Sequence, residues 1–219
     1  MTQDLAPAPF AGRQLLCRRG ERLVFRGLDF DLAPGGVLLL RGPNGSGKSS
    51  LLRLMAGLLR PAAGELLWGG APVAEAPEQH RRRLAFLGHL DALKPALTAA
   101  ENLGFWCGRA AVAPALAALG ISHLADLPAR LLSAGQRRRL ALARIVAGQA
   151  PLWLLDEPTN ALDAEAEAMF AAALAAHRSK GGMAAIALHG GSGPPEAATL
   201  SLLLPPAGAL DEDEGFLVA

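Results

Sequence analysis

The chain has 219 residues, 51% of them hydrophobic, and its 21 Lys and Arg against 20 Asp and Glu leave a net charge of +1. That balance excludes a nucleic-acid binder relying on a broad basic field, and Cys17 and Cys107 stand too far apart for a disulfide framework or a zinc site. No apolar stretch reaches the ~18–20 residues of a spanning helix, and the start MTQDLAPAPFAGRQ has no basic leader or apolar core segment, so a cytoplasmic chain without a secretory signal is expected.

Residues 10–35 and 64–74 are turn-rich and partly alternating, the pattern of a small antiparallel sheet. Between them, residues 37–40 are apolar at every position and lead into Gly42-Pro43-Asn44-Gly45-Ser46-Gly47-Lys48-Ser49-Ser50. This is a phosphate-binding loop of form G-x-x-x-x-G-K-[ST], entered from a strand and left by a helix-compatible run. The glycines let backbone amides approach polyphosphate with no Cβ in the way. The helix N-terminus adds unpaired amides and a partial positive charge. Lys48 supplies a full charge to the outer phosphates, and Ser49 a hydroxyl for Mg²⁺.

Residues 84–87, 152–155, 183–188 and 200–204 are further continuous apolar runs, as in strands of a parallel sheet covered on both faces. With helical stretches between them, the class is α/β. Residues 91–131 are alanine-rich and punctuated by Pro95, Pro114 and Pro128. They read as a helical insertion in a single domain of residues 1–219, whose core is residues 1–90 and 132–219. The tail, DEDE followed by an apolar end, reads as a solvated turn before a last short strand or helix.

Two segments carry the remaining chemistry. Leu132-Ser133-Ala134-Gly135-Gln136 has the S-x-x-Q spacing of a capping box, so a helix begins there and its N-terminus is an anion site. The run at 152–155 ends in Asp156-Glu157-Pro158, at the strand edge where ligands bind in an open α/β sheet. Alone, the two acids could cap the next helix. Beside a phosphate loop, Asp156 can hold Mg²⁺ through water and Glu157 can polarise an attacking water as general base. Arg81-Arg82-Arg83 and Arg137-Arg138-Arg139 read as solvated helix faces, and Trp68, Trp106 and Trp153 as core or interface.

GPNGSGKSS, LSAGQ, LLDEP, Asn160-Ala161-Leu162-Asp163 and His189 stand in the order and approximate spacing of an ABC-transporter nucleotide-binding subunit, which the chain resembles over nearly its whole length. The resemblance implies the ABC ATPase fold, a P-loop NTPase core with a small N-terminal antiparallel subdomain and a helical insertion. It also implies ATP and Mg²⁺ as ligands, and a head-to-tail homodimer with ATP between the copies. In it, Ser133 and Gly135, with Gln136 beside them, would meet the partner's γ-phosphate, Asp163 would couple the two sites, and His189 would hold the γ-phosphate in register with Glu157. FLGHLDALKPALTAAENLGFW and LSAGQRRRLALAR are similar to the cytochrome c maturation subgroup. That likeness implies ATP hydrolysis coupled to haem delivery through integral membrane subunits (CcmB-like and CcmC-like). The chain would then sit peripherally at the cytoplasmic face of the inner membrane, with no nucleic acid among its partners. The wider family leaves other exporters, and soluble ATPases of DNA repair or translation, as alternatives.

Three departures from the family pattern stand out. His89 replaces a glutamine whose oxygen reaches the metal; since Mg²⁺ prefers oxygen, His89 would act through water or as a contact to the membrane partner. Ala134 stands where glycine is common and is tolerable at negative φ. The adenine-stacking aromatic is missing. Its position falls near Arg18 or Arg19, where the planar Arg19 guanidinium could stack on the base or the pair could form a solvated turn, so weak discrimination between bases is expected either way.

Overall fold

In the computed structural model, which describes residues 6–188 and 197–202, alternation along each strand decides which half of the core a side chain serves. The chain opens with β1 (Phe10–Arg19), β2 (Arg22–Leu32), β3 (Val37–Arg41), α1 (Lys48–Met55), β4 (Ala63–Trp68), β5 (Ala71–Pro72), α2 (Pro77–Arg82) and β6 (Leu84–Leu87). It continues through α3 (Ala99–Gly104), α4 (Arg109–Ala118), α5 (Ala134–Ala147), β7 (Leu152–Asp156), α6 (Ala164–Arg178), β8 (Met183–Ala187) and β9 (Ala198–Ser201).

Strands β6, β7, β8, β3 and β9 pair in that order, all parallel, and β2, β1, β4 and β5 form a separate antiparallel sheet. Val37, Leu39, Trp153, Leu155, Ala184 and Ile186 face one core with α3 to α6. Leu38, Leu40, Leu152, Leu154, Met183 and Ala185 face the other, closed by α1 and the antiparallel sheet. Two dry faces explain why these strands are apolar at every position. The edge strand β6 departs from this, with Leu84, Ala85 and Phe86 only half-buried. The last strand starts earlier than the 200–204 run suggests, at Ala198, and the expected tail from Asp211 lies outside the described residues.

The segment from 91 to 131 carries α3, α4 and two short 3-10 turns joined by loops, with Pro114 inside α4. A proline there removes one helix hydrogen bond; burial of Ala115, Leu116 and Leu119 carries the helix past it. Pro128 pairs with Thr98 in an isolated bridge. Trp68 and Trp153 are core, while Trp106 is 55% exposed, and Cys17 and Cys107 are both free.

His80 on α2 links the two layers. Its ring stacks on Phe10 at 5.6 Å between centroids. Its Nε2 lies 2.7 Å from the Met55 carbonyl, so Nε2 carries the proton and donates. Nδ1 is buried and has no partner. Burial lowers the pKa of this histidine from its ordinary value, opposed by the bond to Met55 and assisted by Arg83. The unfolded chain therefore binds the extra proton more readily, so this contribution is whole above the ordinary histidine range and is lost as pH falls through it. The expected result is a urea midpoint lower at pH 5.5 than at pH 7.5, with a smaller drop for His80→Gln, which keeps a donor but does not titrate. An equal drop in both proteins would rule this out.

Candidate nucleotide site

The parallel register brings the two halves of the site together. Leu40 on β3 and Asp156 on β7 are both paired with Ala187 on the strand between them. Two strand spacings therefore separate them, about 10 Å. The ladder continues one step further, with the Glu157 amide donating to Ala187 O at 3.0 Å and the Leu188 amide to Leu40 O at 3.2 Å.

From β3 the chain turns through Gly42 to Ser46 into α1, whose N-cap is Gly47 at φ 103. A Cβ at Gly47 would lie 2.6 Å from Val24 Cγ1, so the antiparallel sheet and the loop touch through a residue that must be glycine. Lys48 is buried to 6% exposure, and its Nζ donates to the carbonyls of Gly42 at 2.7 Å and Pro43 at 3.1 Å. Ser46 is wholly buried, with no partner for its Oγ. A glycine cradle, a buried ammonium and an orphaned hydroxyl fit a polyphosphate.

A cavity of about 430 Å³ opens beside the loop, lined by Asn44, Gly45, Gly47, Lys48, Ser49, Ser50 and Glu157 together with Arg19, Arg22 and Val24. Its size is that of a small-molecule site. Arg22 and Val24 were not anticipated from sequence. The signal was available: a two-residue turn after β1 sets Arg19 opposite Arg22.

Glu157 sits at φ 49 and Ala161 at φ 63, two non-glycine residues in the left-handed region bracketing one turn. Such strain persists only where the surroundings over-determine it. Here Asn160 Nδ2 donates to Glu157 Oε2 at 2.7 Å. A Cβ at Gly135 would come within 2.7 Å of the Ala161 carbonyl, so α5 packs directly on the turn.

The strongest restraint is Arg138, 5% exposed on α5. Its Nη2 donates to Asp156 O at 2.7 Å and Glu157 O at 2.6 Å, and its Nε to Pro158 O at 3.2 Å. Its Nη1 donates to Gly88 O at 3.3 Å and Asp91 Oδ1 at 3.0 Å. The run Arg137 to Arg139 is thus not a solvated face. Arg137 donates to Leu132 O at 2.6 Å, and Arg139 pairs with Asp163 at 2.6 Å. Spacing alone misled here, because a helix lying between two loops has more than one inward side.

The profile of the ABC transporter family matches residues 25–160. The chain belongs to the ABC-transporter family. Over 202 residues it is 55% identical to the cytochrome c biogenesis ATP-binding export protein CcmA of Rhodospirillum rubrum, covering 90% of this chain and 87% of that protein. Over 208 residues it is 50% identical to CcmA of Paramagnetospirillum magneticum, covering 90% and 95%. Among solved structures, an ATP-bound bacterial Atm1-family ABC exporter aligns with TM-score 0.81 at 24% identity, over 92% of this chain and 38% of that one. A putative ABC transporter ATP-binding protein from Pyrococcus furiosus aligns with TM-score 0.77 at 20% identity, over 89% and 98%. These two alignments show the ABC ATPase fold, and the sequence identities set the chain in the cytochrome c biogenesis branch of the family.

Within this ABC subunit the cavity gathers the phosphate loop, Arg19 and Glu157. Asp156 lies buried at the strand end behind Glu157. Residues 132–136 do not line the cavity. Ser133 caps α5, its Oγ accepting from the Gln136 amide at 3.2 Å while the Gln136 side chain accepts from the Ser133 amide at 2.8 Å. Ala134 is the first residue of the helix and has no positive φ. Asp163 caps α6 through the Ala166 amide at 2.8 Å. His89 is exposed on the loop after β6 and does not line the cavity, and His189 lies outside the described residues.

Replacing Arg138 by Met removes five donations at once and leaves four carbonyls and Asp91 without them. The expected cost is of order 3 kcal/mol in stability. Hydrolysis should fall at least about tenfold with nucleotide affinity nearly unchanged, since Arg138 does not touch the phosphate loop. Calorimetry and steady-state kinetics check both; a matching loss of affinity would contradict a role confined to positioning.

Proposed function

We propose that this chain hydrolyses ATP as one of two copies in a cytochrome c biogenesis transporter, coupling the reaction to haem delivery. The observation that carries the reading is a division of labour. Lys48 and Glu157 share one cavity, while the capped N-terminus of α5 stands outside it with Ser133 exposed. A second copy, turned head to tail, would bring its Ser133, Gly135 and Gln136 over the nucleotide. Asp163 and its ion pair to Arg139 would lie beside that junction.

In this reading the adenine rests near Arg19 and Arg22, and the triphosphate displaces Lys48 from the Gly42 and Pro43 carbonyls. The loop amides and Lys48 hold charge developing on the γ-phosphate. Glu157, oriented by Asn160, takes the proton from the attacking water. His189 keeps water and phosphate in line. The Ser49 hydroxyl and the Asp156 carboxylate are hard oxygen donors suited to Mg²⁺, which would neutralise phosphate charge there. Among the described residues no group of three or more His, Cys, Asp or Glu gathers, so the ion would enter with the nucleotide rather than occupy a cage of its own. His89, exposed and nitrogen-bearing, belongs to the docking surface rather than the metal.

No helix among the described residues is long and apolar enough to cross a membrane. The translocating work is therefore assigned to separate integral subunits, CcmB-like and CcmC-like, with this chain on the cytoplasmic face of the inner membrane. They would dock in the groove beside His89 and the helical segment 91–131, which we treat as a subdomain inserted between core residues 1–90 and 132–219. Glu157→Gln should bind ATP, run as a dimer in size-exclusion chromatography with ATP, and hydrolyse it about 10²–10⁴ times more slowly. Lys48→Ala should bind ATP at least about tenfold more weakly. A Glu157→Gln protein that stays monomeric with ATP, alone and beside its membrane subunits, would overturn the reading.

A further inference from the structure

The turn Gly20-Glu21 folds β1 back on β2 so that Arg19 and Arg22 are direct cross-strand partners, and both line the nucleotide cavity. Like charges opposed across a strand pair repel and destabilise it. Here nothing in the chain relieves them. Both arginines are exposed, and no carboxylate of the described residues pairs with either. Glu157, the acid in the cavity lining, has its Oε2 taken by Asn160 at 2.7 Å. Two opposed, unpaired guanidinium groups on one concave wall form a place for an anion.

Of the two, Arg22 reaches the phosphate loop. A Cβ placed on Gly45 would stand 4.0 Å from Arg22 Nη2, so the guanidinium lies against the turn that carries the phosphate-binding amides. The loop's own cation, Lys48, has two donors turned inward to the Gly42 and Pro43 carbonyls. The base side of the cavity is poorer. Beyond the loop and Glu157 its lining has no aromatic ring and no side-chain acceptor, since Val24 is apolar and an arginine only donates. Such a wall grips phosphate strongly and any base weakly.

Resting on the nucleotide reading above, we propose that Arg22, set against Arg19, is a phosphate ligand, and that this clamp admits nucleoside triphosphates by their charge rather than by their base. The planar fork of Arg22 takes two oxygens of the phosphate chain, while Arg19 lies under the sugar and base. The bound anion offsets the repulsion between the two arginines, so the ligand also tightens the turn between β1 and β2. The activity that follows is hydrolysis of GTP and CTP beside ATP.

The test is calorimetric titration with Mg²⁺ and ATP, GTP, CTP or inorganic tripolyphosphate, in a Glu157→Gln parent that turns nucleotide over slowly. The three nucleotides should bind within about tenfold of one another, and tripolyphosphate should compete with all of them. Adding Arg22→Gln should weaken all four ligands at least about tenfold, the scale of lost charge-assisted bonds. It should also reduce the loss of affinity between about 50 and about 300 mM KCl. Arg22→Lys should recover part of the binding, because an ammonium keeps the charge without the fork. Arg19→Gln should weaken the nucleotides and leave tripolyphosphate nearly unchanged. Without ligand, Arg22→Gln should melt no lower than its parent, since one of two opposed charges is gone; a lower melting temperature would make the residue structural and overturn the clamp. Unchanged affinities in Arg22→Gln would overturn it too, as would ATP binding more than about a hundredfold tighter than GTP and CTP. Lys48→Ala separates the two readings. Dependence on Lys48 without dependence on Arg22 sinks the clamp alone, whereas ATP and tripolyphosphate binding indifferent to Lys48 sinks the nucleotide site itself.

Discussion

One guanidinium holds the chemistry of this subunit in shape. Arg138 binds the backbone of Asp156, Glu157 and Pro158 on one side and that of Gly88, with the Asp91 carboxylate, on the other. Because the backbone of Glu157 is left-handed, it would relax elsewhere without such a restraint. The same side chain belongs to the helix capped by Ser133. Three pieces that are distant in sequence therefore cannot move independently. Displacing the loop from 88 to 91 pulls on the carbonyl of Glu157, and displacing α5 does the same. This is a physical link with identified bonds rather than mere spatial neighbourhood.

The two-sided core makes that arrangement stiff. Side chains of β3, β7 and β8 alternate between two apolar clusters, so a one-residue slip of any strand would exchange every contact at once. The register that sets Leu40 and Asp156 against Ala187 is thereby fixed from both faces. Precision at the carboxyl edge of the sheet is inherited from packing several residues below it.

Most of the fold and half of the site were legible in the residues. Continuous apolar runs gave the central strands because burial on both faces leaves no room for polar alternation. The glycine loop was legible because its backbone geometry admits few other residues, and the Ser133 cap because its hydrogen bonds are local. What escaped was non-local. Arg138 looked like its neighbours Arg137 and Arg139, and only the arrival of two loops on either side of α5 distinguishes it. Pro114 looked like a boundary because its local penalty was visible while the burial that offsets it was not. His89 had two readings, through water at the metal or as a contact to the membrane partner, and only the path of the loop after β6 shows it exposed and outside the lining of the cavity.

Lys48 adds a consequence of a different kind. Its ammonium is tethered by two carbonyls of the same turn, so two of its three donors are engaged within the chain rather than offered to solvent. Oxygens of a polyanion would replace these neutral acceptors with stronger, charge-assisted bonds. Any ligand that recruits this amine must therefore replace two bonds at once, which sets a floor on the charge it has to bring.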